Sequence, residues 1–412
     1  MFKKYLSIAA FILALAVTFI WINYGDRIQR LQVVGTLFTG AEQIQNFNRM
    51  HEMFPVNVLP PAEQALEFES GAAVPLPTSF MYLGAEVQTS EFITRTDSGA
   101  LLVLKDGKVT FEQYWQTGGR DQTWLSMSVA KSFISALIGI AVDQGLIGDI
   151  TQPVTDYVPE LAGSAYDNVR IKDILQMSSG ASWNEDYGDP ESDINRFGRV
   201  FALGGSMNEF AATLVPELPP GTFNRYNSTD TQVLGMLLTK VTGRSVNDYM
   251  IEMLWHPMGA ENVGYWLTDA EGMEMAFGGL NITARDYAKL GEMYRMGGAL
   301  NGQQIVPADW VRASITPDAP HLTPGDNPQS DWPVGYGHQW WIPEGDVGEF
   351  MAIGVYNQFI YIAPESNTVI VKLSANSAYG TPDDPGASSE FESLELFRAI
   401  AAQPQREEAD RP

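Results

Sequence analysis

Ser126-Met127-Ser128-Val129-Ala130-Lys131-Ser132-Phe133-Ile134-Ser135-Ala136-Leu137-Ile138-Gly139-Ile140-Ala141 holds both the chemistry and the centre of this chain. From Ser128 to Gln144 the residues are mainly Ala, Ile, Leu and Val at helical spacing, and Gly145 closes the run. A helix apolar on most faces is expected at the middle of the molecule. Positions i and i+3 share a helical face, so the Lys131 amine can approach the Ser128 hydroxyl. At the helix N-terminus Ser128 also gains from the positive end of the dipole, which favours an alkoxide. A lysine buried against such a helix can lose its proton and act as general base for the serine. The same tetrapeptide also fits a capping serine and a solvated lysine, so its neighbours must decide.

Outward from this helix, Leu101 to Leu104 and Val109 to Trp115 are apolar and β-favouring. Lys105-Asp106-Gly107-Lys108 joins them with a hairpin signal. Residues 150 to 300 carry shorter helical stretches, among them Asp230 to Val241 and Ala284 to Met296, broken by Gly/Pro loops. Strands return at Gln339 to Ile342, Phe350 to Val355, Gln358 to Ile362 and Thr368 to Leu373, before a helix near Glu390 to Ala402. Strands at both ends with helices between predict a mixed α/β fold of the α+β type, one sheet assembled from both ends with a helical subdomain inserted. The expected layout is a terminal apolar segment 1–26, an extended Pro-broken arm 27–85 and a main domain 86–402. Within that domain the sheet takes 86–150 and 297–402, the helical subdomain takes 151–296, and a polar tail runs from 403 to 412.

Composition removes several functions. The chain has 412 residues, 45% hydrophobic, enough for a sizeable core. Fifty acidic against 25 basic residues give a net charge of -25, a surface that repels phosphate backbones and argues against nucleic-acid binding. With no cysteine there are no disulfides, thiolate nucleophiles or thiolate metal sites. Four histidines, His51, His256, His321 and His338, are too few and too scattered for a paired-ligand metal motif. Near the start, Lys3 and Lys4 precede an uncharged run from Tyr5 to Tyr24. Its length suits a membrane anchor with the N-terminus inside and the body on the outer, periplasmic or extracellular side; a cleaved signal with secretion is the alternative.

Two further segments bear chemistry. Tyr226-Asn227-Ser228 follows the Pro219-Pro220-Gly221 loop, and a tyrosine there could carry a proton between nucleophile, lysine and leaving group. A packing aromatic ahead of a helix cap fits the same residues. Met351 to Gln358 reads as a strand entering a tight turn, able to present a backbone N–H beside the serine. An ordinary hairpin would look alike.

Taken together, the chain resembles the serine β-lactamase and penicillin-binding-protein superfamily, in its β-lactamase-related serine hydrolase branch. Within it the chain is most similar to 6-aminohexanoate-dimer hydrolases and related esterases. The resemblance runs from about Phe80 to Ala401. It rests on Ser126 to Phe133, Ile174-Leu175-Gln176-Met177-Ser178-Ser179-Gly180, Tyr226-Asn227-Ser228, Gly279 to Asp286 and Gly337-His338-Gln339-Trp340-Trp341, in the expected order. It implies a β-lactamase/transpeptidase-like fold, an antiparallel sheet flanked by helices. It also implies Ser128 as acylated nucleophile, Lys131 as its base and Tyr226 as the proton-transfer tyrosine, with the Ser128 and Val355 N–H groups as oxyanion donors. Asn281 falls where dimer hydrolases contact substrate through an asparagine, and Tyr187 near their substrate-covering tyrosine. A cap asparagine fits the first position equally, and a packing role fits the tyrosine better than a catalytic one.

The departures from the family pattern are informative. Where β-lactamases and transpeptidases carry Lys-Thr-Gly, this chain has Ala352-Ile353-Gly354, which places Ile353 and Gly354 along the substrate without a cation or hydroxyl for a carboxylate. Ser228 stands where many relatives have asparagine, and Asn357 where they have a turn glycine. No Ser-Asp-Asn motif is present, nor a Gly-x-Ser-x-Gly for a Ser-His-Asp hydrolase. The reading is therefore a serine hydrolase of small esters or linear amides that needs no metal or cofactor. The alternatives are a D-alanyl-D-alanine peptidase or β-lactamase activity, and an inactive membrane-tethered binding module.

Overall fold

The computed structural model describes residues 5, 10–22, 24–25, 37–379 and 388–404. A seven-stranded antiparallel sheet dominates. Its strands run in the order Gly335–Tyr336, Trp341–Ile342, Phe350–Gly354, Gln358–Ala363, Thr368–Ser374, Ser98–Lys105 and Lys108–Tyr114. The predicted assembly from both ends of the chain is thus present, joined where Thr368–Ser374 pairs with Ser98–Lys105. The hairpin turn is set by Asp106 (φ 48°) and Gly107 (φ 74°), two consecutive left-handed residues that match the twist of the strands they join.

The two sheet faces serve different cores. Leu102, Leu104, Ala352, Ile360, Val369 and Val371 face the helix Ala130–Asp143 and its neighbours, while Leu101, Val103, Ile353, Phe359 and Ile370 face the C-terminal helix Glu390–Ala401. Ala130–Asp143 is buried over nearly its whole length, as its all-round apolarity predicts. It begins with a 3₁₀ turn, Met127–Val129, so Ser128 sits in the turn ahead of the α-helix. The helix Ala284–Arg295 also packs directly on this sheet: a Cβ on Gly291 would come within 2.6 Å of Val369 and 2.8 Å of Ile360. This part of the stretch assigned to the helical subdomain therefore belongs to the sheet layer.

A second sheet was not foreseen. Val56–Leu59 from the arm, Gly264–Leu267, Leu280–Ile282 and Trp124–Leu125 form four short strands in that order. They are too short to show period-two alternation clearly, which is why their sequences did not read as strands. Their effect is to bind the arm to the segment that precedes the nucleophile. Residues 10–22 are helical with exposed side chains, and part of the Tyr5 to Tyr24 run lies outside the described residues. Among the described residues no helix is long and apolar enough to cross a membrane.

Candidate active site

Ser128 is held by backbone strain ahead of it. Met127 adopts φ 45°, a left-handed conformation that a long unbranched side chain takes only at a cost on the order of 1–3 kcal/mol. Gly354 explains how the strand Phe350–Gly354 reaches this turn. A Cβ there would lie 2.7 Å from the Ser126 carbonyl oxygen and 3.0 Å from Met127 Cβ. Only glycine permits this approach. Val355 follows immediately, and Tyr356 (φ 63°) and Asn357 (φ 67°) then turn the chain in the left-handed region that asparagine tolerates.

Lys131 is 2% exposed, and its Nζ lies 2.9 Å from Ser128 Oγ, 3.1 Å from Ser228 Oγ and 2.9 Å from the Phe277 carbonyl oxygen. Burial drives its pKa down to about 7, against the opposing pull of Glu185 and Asp230. The Tyr226 ring packs 5.0 Å from the amine and stacks at 5.2 Å on Trp341. Burial first and Glu185 second push its hydroxyl's pKa well above the ordinary tyrosine range, with Ser128 opposing. Tyr226, nearly a hundred residues along the chain, thus comes beside the Ser128–Lys131 pair.

The framework behind them is polar and fully buried. Asp230 accepts from Ser179 Oγ at 2.7 Å, Tyr166 OH at 2.9 Å and Asn227 Nδ2 at 3.0 Å, and burial raises its pKa to about 8. This ties the Ser178-Ser179-Gly180 stretch to the helix Ser228–Thr242. Gln339 links the same helix to the nucleophile helix: its side-chain oxygen accepts from Thr231 Oγ1 at 2.6 Å and its carbonyl from Ser132 Oγ at 2.8 Å.

The remaining candidates fall into two groups. Tyr187 comes to the site, donating to Glu185 Oε1 at 2.9 Å, with its pKa raised well above its ordinary value by burial, Glu185 and Tyr226. Ser228 is fully buried and engaged with Lys131 and Glu185, so its hydroxyl is part of the lysine's surroundings. Asn281 is also fully buried, on Leu280–Ile282, where its Nδ2 donates to the Gly279 carbonyl at 2.9 Å. No bond joins it to Ser128, Lys131 or Tyr226 among the described residues. Ile353 lies in the apolar cluster with Tyr336 and Trp341, against which Tyr226 packs. His338 is buried 4.9 Å from the Trp310 ring, with its pKa lowered to about 4 by burial, far from any role as the base of a triad.

Glu185 was missed. It is one of several acids in an acid-rich loop, and nothing in its sequence spacing marks it out. In the structure four donors converge on its carboxyl: Ser228 Oγ (2.7 Å) and Tyr187 OH (2.9 Å) on Oε1, Ser228 N (3.0 Å) and Trp183 Nε1 on Oε2. Among the described residues no group of three or more His, Asp or Glu side chains stands together as a metal site.

Comparison with known proteins identifies the family. Residues 88–391 match the family model described as Beta-lactamase. The 6-aminohexanoate-dimer hydrolase of Paenarthrobacter ureafaciens is 33% identical over 291 residues, 69% of this chain and 74% of that protein. A Bacillus anthracis structure provisionally assigned as a 6-aminohexanoate-dimer hydrolase superposes with a TM-score of 0.79 at 24% identity, covering 89% of this chain and 95% of that one. A family VIII carboxylesterase superposes with a TM-score of 0.54 at 16% identity, covering 73% and 91%.

Proposed function

We propose, from the premise that this chain belongs to the β-lactamase family, that it hydrolyses small esters or linear amides through an acyl-enzyme on Ser128. The observation that carries this reading is the buried Lys131 amine, 2.9 Å from Ser128 Oγ and with a pKa near 7. Ser128 Oγ attacks the carbonyl carbon while its proton passes to Lys131 Nζ. The N–H groups of Ser128 and Val355 hold the developing oxyanion. Tyr226, packed against the Lys131 amine, relays the proton to the departing alcohol or amine, and the same groups then activate the water that frees the acid.

The substrate class follows from charge. Ala352-Ile353-Gly354 offers no cation, and the groups acting on Lys131 are the acids Glu185 and Asp230. An anionic substrate such as a penicillin or a D-alanyl-D-alanine terminus would lose several kcal/mol of hydration without compensation. Esters and amides with no carboxylate beside the scissile bond avoid this cost, and the named activity of the Paenarthrobacter relative, hydrolysis of a 6-aminohexanoate dimer, supports the linear amide. The uncharged N-terminal run supports an outward-facing protein, anchored or secreted.

Steady-state hydrolysis of p-nitrophenyl acetate by the full chain and by Ser128→Ala tests the reading. A loss of at least about a thousandfold is expected. Equal turnover in the two proteins removes Ser128 from the mechanism and leaves the binding-module reading.

A further inference from the structure

We infer that Glu185, acting through the Ser228 hydroxyl, fixes which way the Lys131 lone pair points and so makes the lysine a base toward Ser128. The inference rests on the serine-hydrolase reading above and adds a positioning residue to it.

The argument is a count of protons. A neutral amine has two hydrogens and one lone pair, and Lys131 Nζ has three polar neighbours: Phe277 O, Ser228 Oγ and Ser128 Oγ. The Phe277 carbonyl can only accept, so it takes one hydrogen. Ser228 has a single hydroxyl hydrogen, and its oxygen lies 2.7 Å from Glu185 Oε1. Glu185 Oε2 receives two N–H groups that cannot reverse, from Ser228 and Trp183, and Oε1 receives the hydroxyls of Ser228 and Tyr187. A carboxylate accepts all four. Ser228 therefore donates to Glu185 and must accept from Lys131, which uses the second amine hydrogen. Only the lone pair remains, and it faces the Ser128 hydroxyl. Were Ser228 to donate to the amine instead, it would occupy the lone pair that Ser128 needs.

Glu185→Gln is nearly isosteric and should reverse the chain of bonds. The two fixed N–H donors hold the amide oxygen at the Oε2 position, so the amide NH₂ faces Ser228 and Tyr187. Ser228 then receives a hydrogen from the amide and turns its own toward Lys131. Removing that hydroxyl with Ser228→Ala relieves the competition. The expected ranking on p-nitrophenyl acetate at pH 8 is a loss of at least about a hundredfold in kcat/KM for Glu185→Gln. The double variant Glu185→Gln/Ser228→Ala should recover at least about tenfold over Glu185→Gln.

The pH profile supplies a second readout. The groups acting on Lys131 are Glu185 from the 183–187 loop and Asp230 from the Ser228–Thr242 helix, with Tyr226 packed on the amine. Glu185 raises the lysine's pKa, so Glu185→Gln should move the acid limb of kcat/KM to lower pH, a shift that loss of packing would not produce. The inference is overturned if Glu185→Gln stays within threefold of the parent, if the double variant is as slow as Glu185→Gln alone, or if the limb does not move. Ser128→Ala, run alongside, separates the two claims: its full activity would overturn the serine reading itself, whereas its loss with an unaffected Glu185→Gln would overturn only the role of Glu185.

Discussion

Burial sets the proton affinity of Lys131, and with it the pH at which Ser128 can be activated. Desolvation lowers the amine's pKa to about 7 although two acids pull it upward. A base works in its neutral form, so kcat/KM for p-nitrophenyl acetate should rise with pH to a plateau, half-maximal near pH 7. Rates measured from pH 5.5 to 9 check this, and a flat profile would contradict it. Tyr226 separates chemistry from packing in the same way. Tyr226→Phe keeps the ring stacked 5.2 Å from Trp341 and removes only the hydroxyl. It should lower kcat by about 10²–10⁴ while the melting temperature stays within a few degrees. A loss under threefold would take Tyr226 out of proton transfer.

Among the elements, the strand Phe350–Gly354 and the nucleophile turn fit together through a missing side chain. Gly354→Ala puts a methyl 2.7 Å from the Ser126 carbonyl oxygen, and backbone rather than a flexible side chain must yield. The cost should be about 1–3 kcal/mol in urea unfolding, with turnover reduced at least tenfold because the displaced turn carries Ser128. Unchanged stability and turnover would show that the strand and turn can separate freely. The contact also shows what sequence can and cannot disclose. The main strands, the hairpin at Asp106-Gly107 and the helices Ala130–Asp143 and Ser228–Thr242 were legible because each has a local cause, in periodicity, turn chemistry or capping. Ser128 and Lys131 were legible because one helix turn joins them. Glu185 and the buried setting of Ser228 were not, since residues 43 positions apart share no local pattern and meet only through tertiary packing. The four short strands from Val56–Leu59 to Leu280–Ile282 escaped for the same reason, their pairing being set by partners far along the chain.

On the scale of the whole molecule, one sheet separates two buried lysines with different consequences. Lys372 pairs across the sheet with Phe359 and Leu101, on the face covered by Glu390–Ala401, away from the nucleophile helix. It is fully buried, donates to Ser374 Oγ, and lies 5.4 Å from the Phe92 ring. Burial, with Arg95 adding to it and Asp97 and Glu392 opposing, lowers its pKa from 10.5 to about 7. Between those values the unfolded chain holds a proton that the folded chain does not, so stability rises with pH across that window. Lys372→Met removes the titrating amine and keeps most of its volume. The variant should therefore be more stable than the parent near pH 8, and its advantage should shrink by about 2 kcal/mol at pH 9.5, at 1.36 kcal/mol per pH unit. Titration of Asp230, and the repulsion within a chain of net charge -25, act alike on both proteins and cancel in that difference. Urea unfolding of parent and variant at the two pH values checks it. An advantage that is constant or grows with pH would mean that Lys372 stays charged in the fold, with acceptors beyond Ser374 satisfying it.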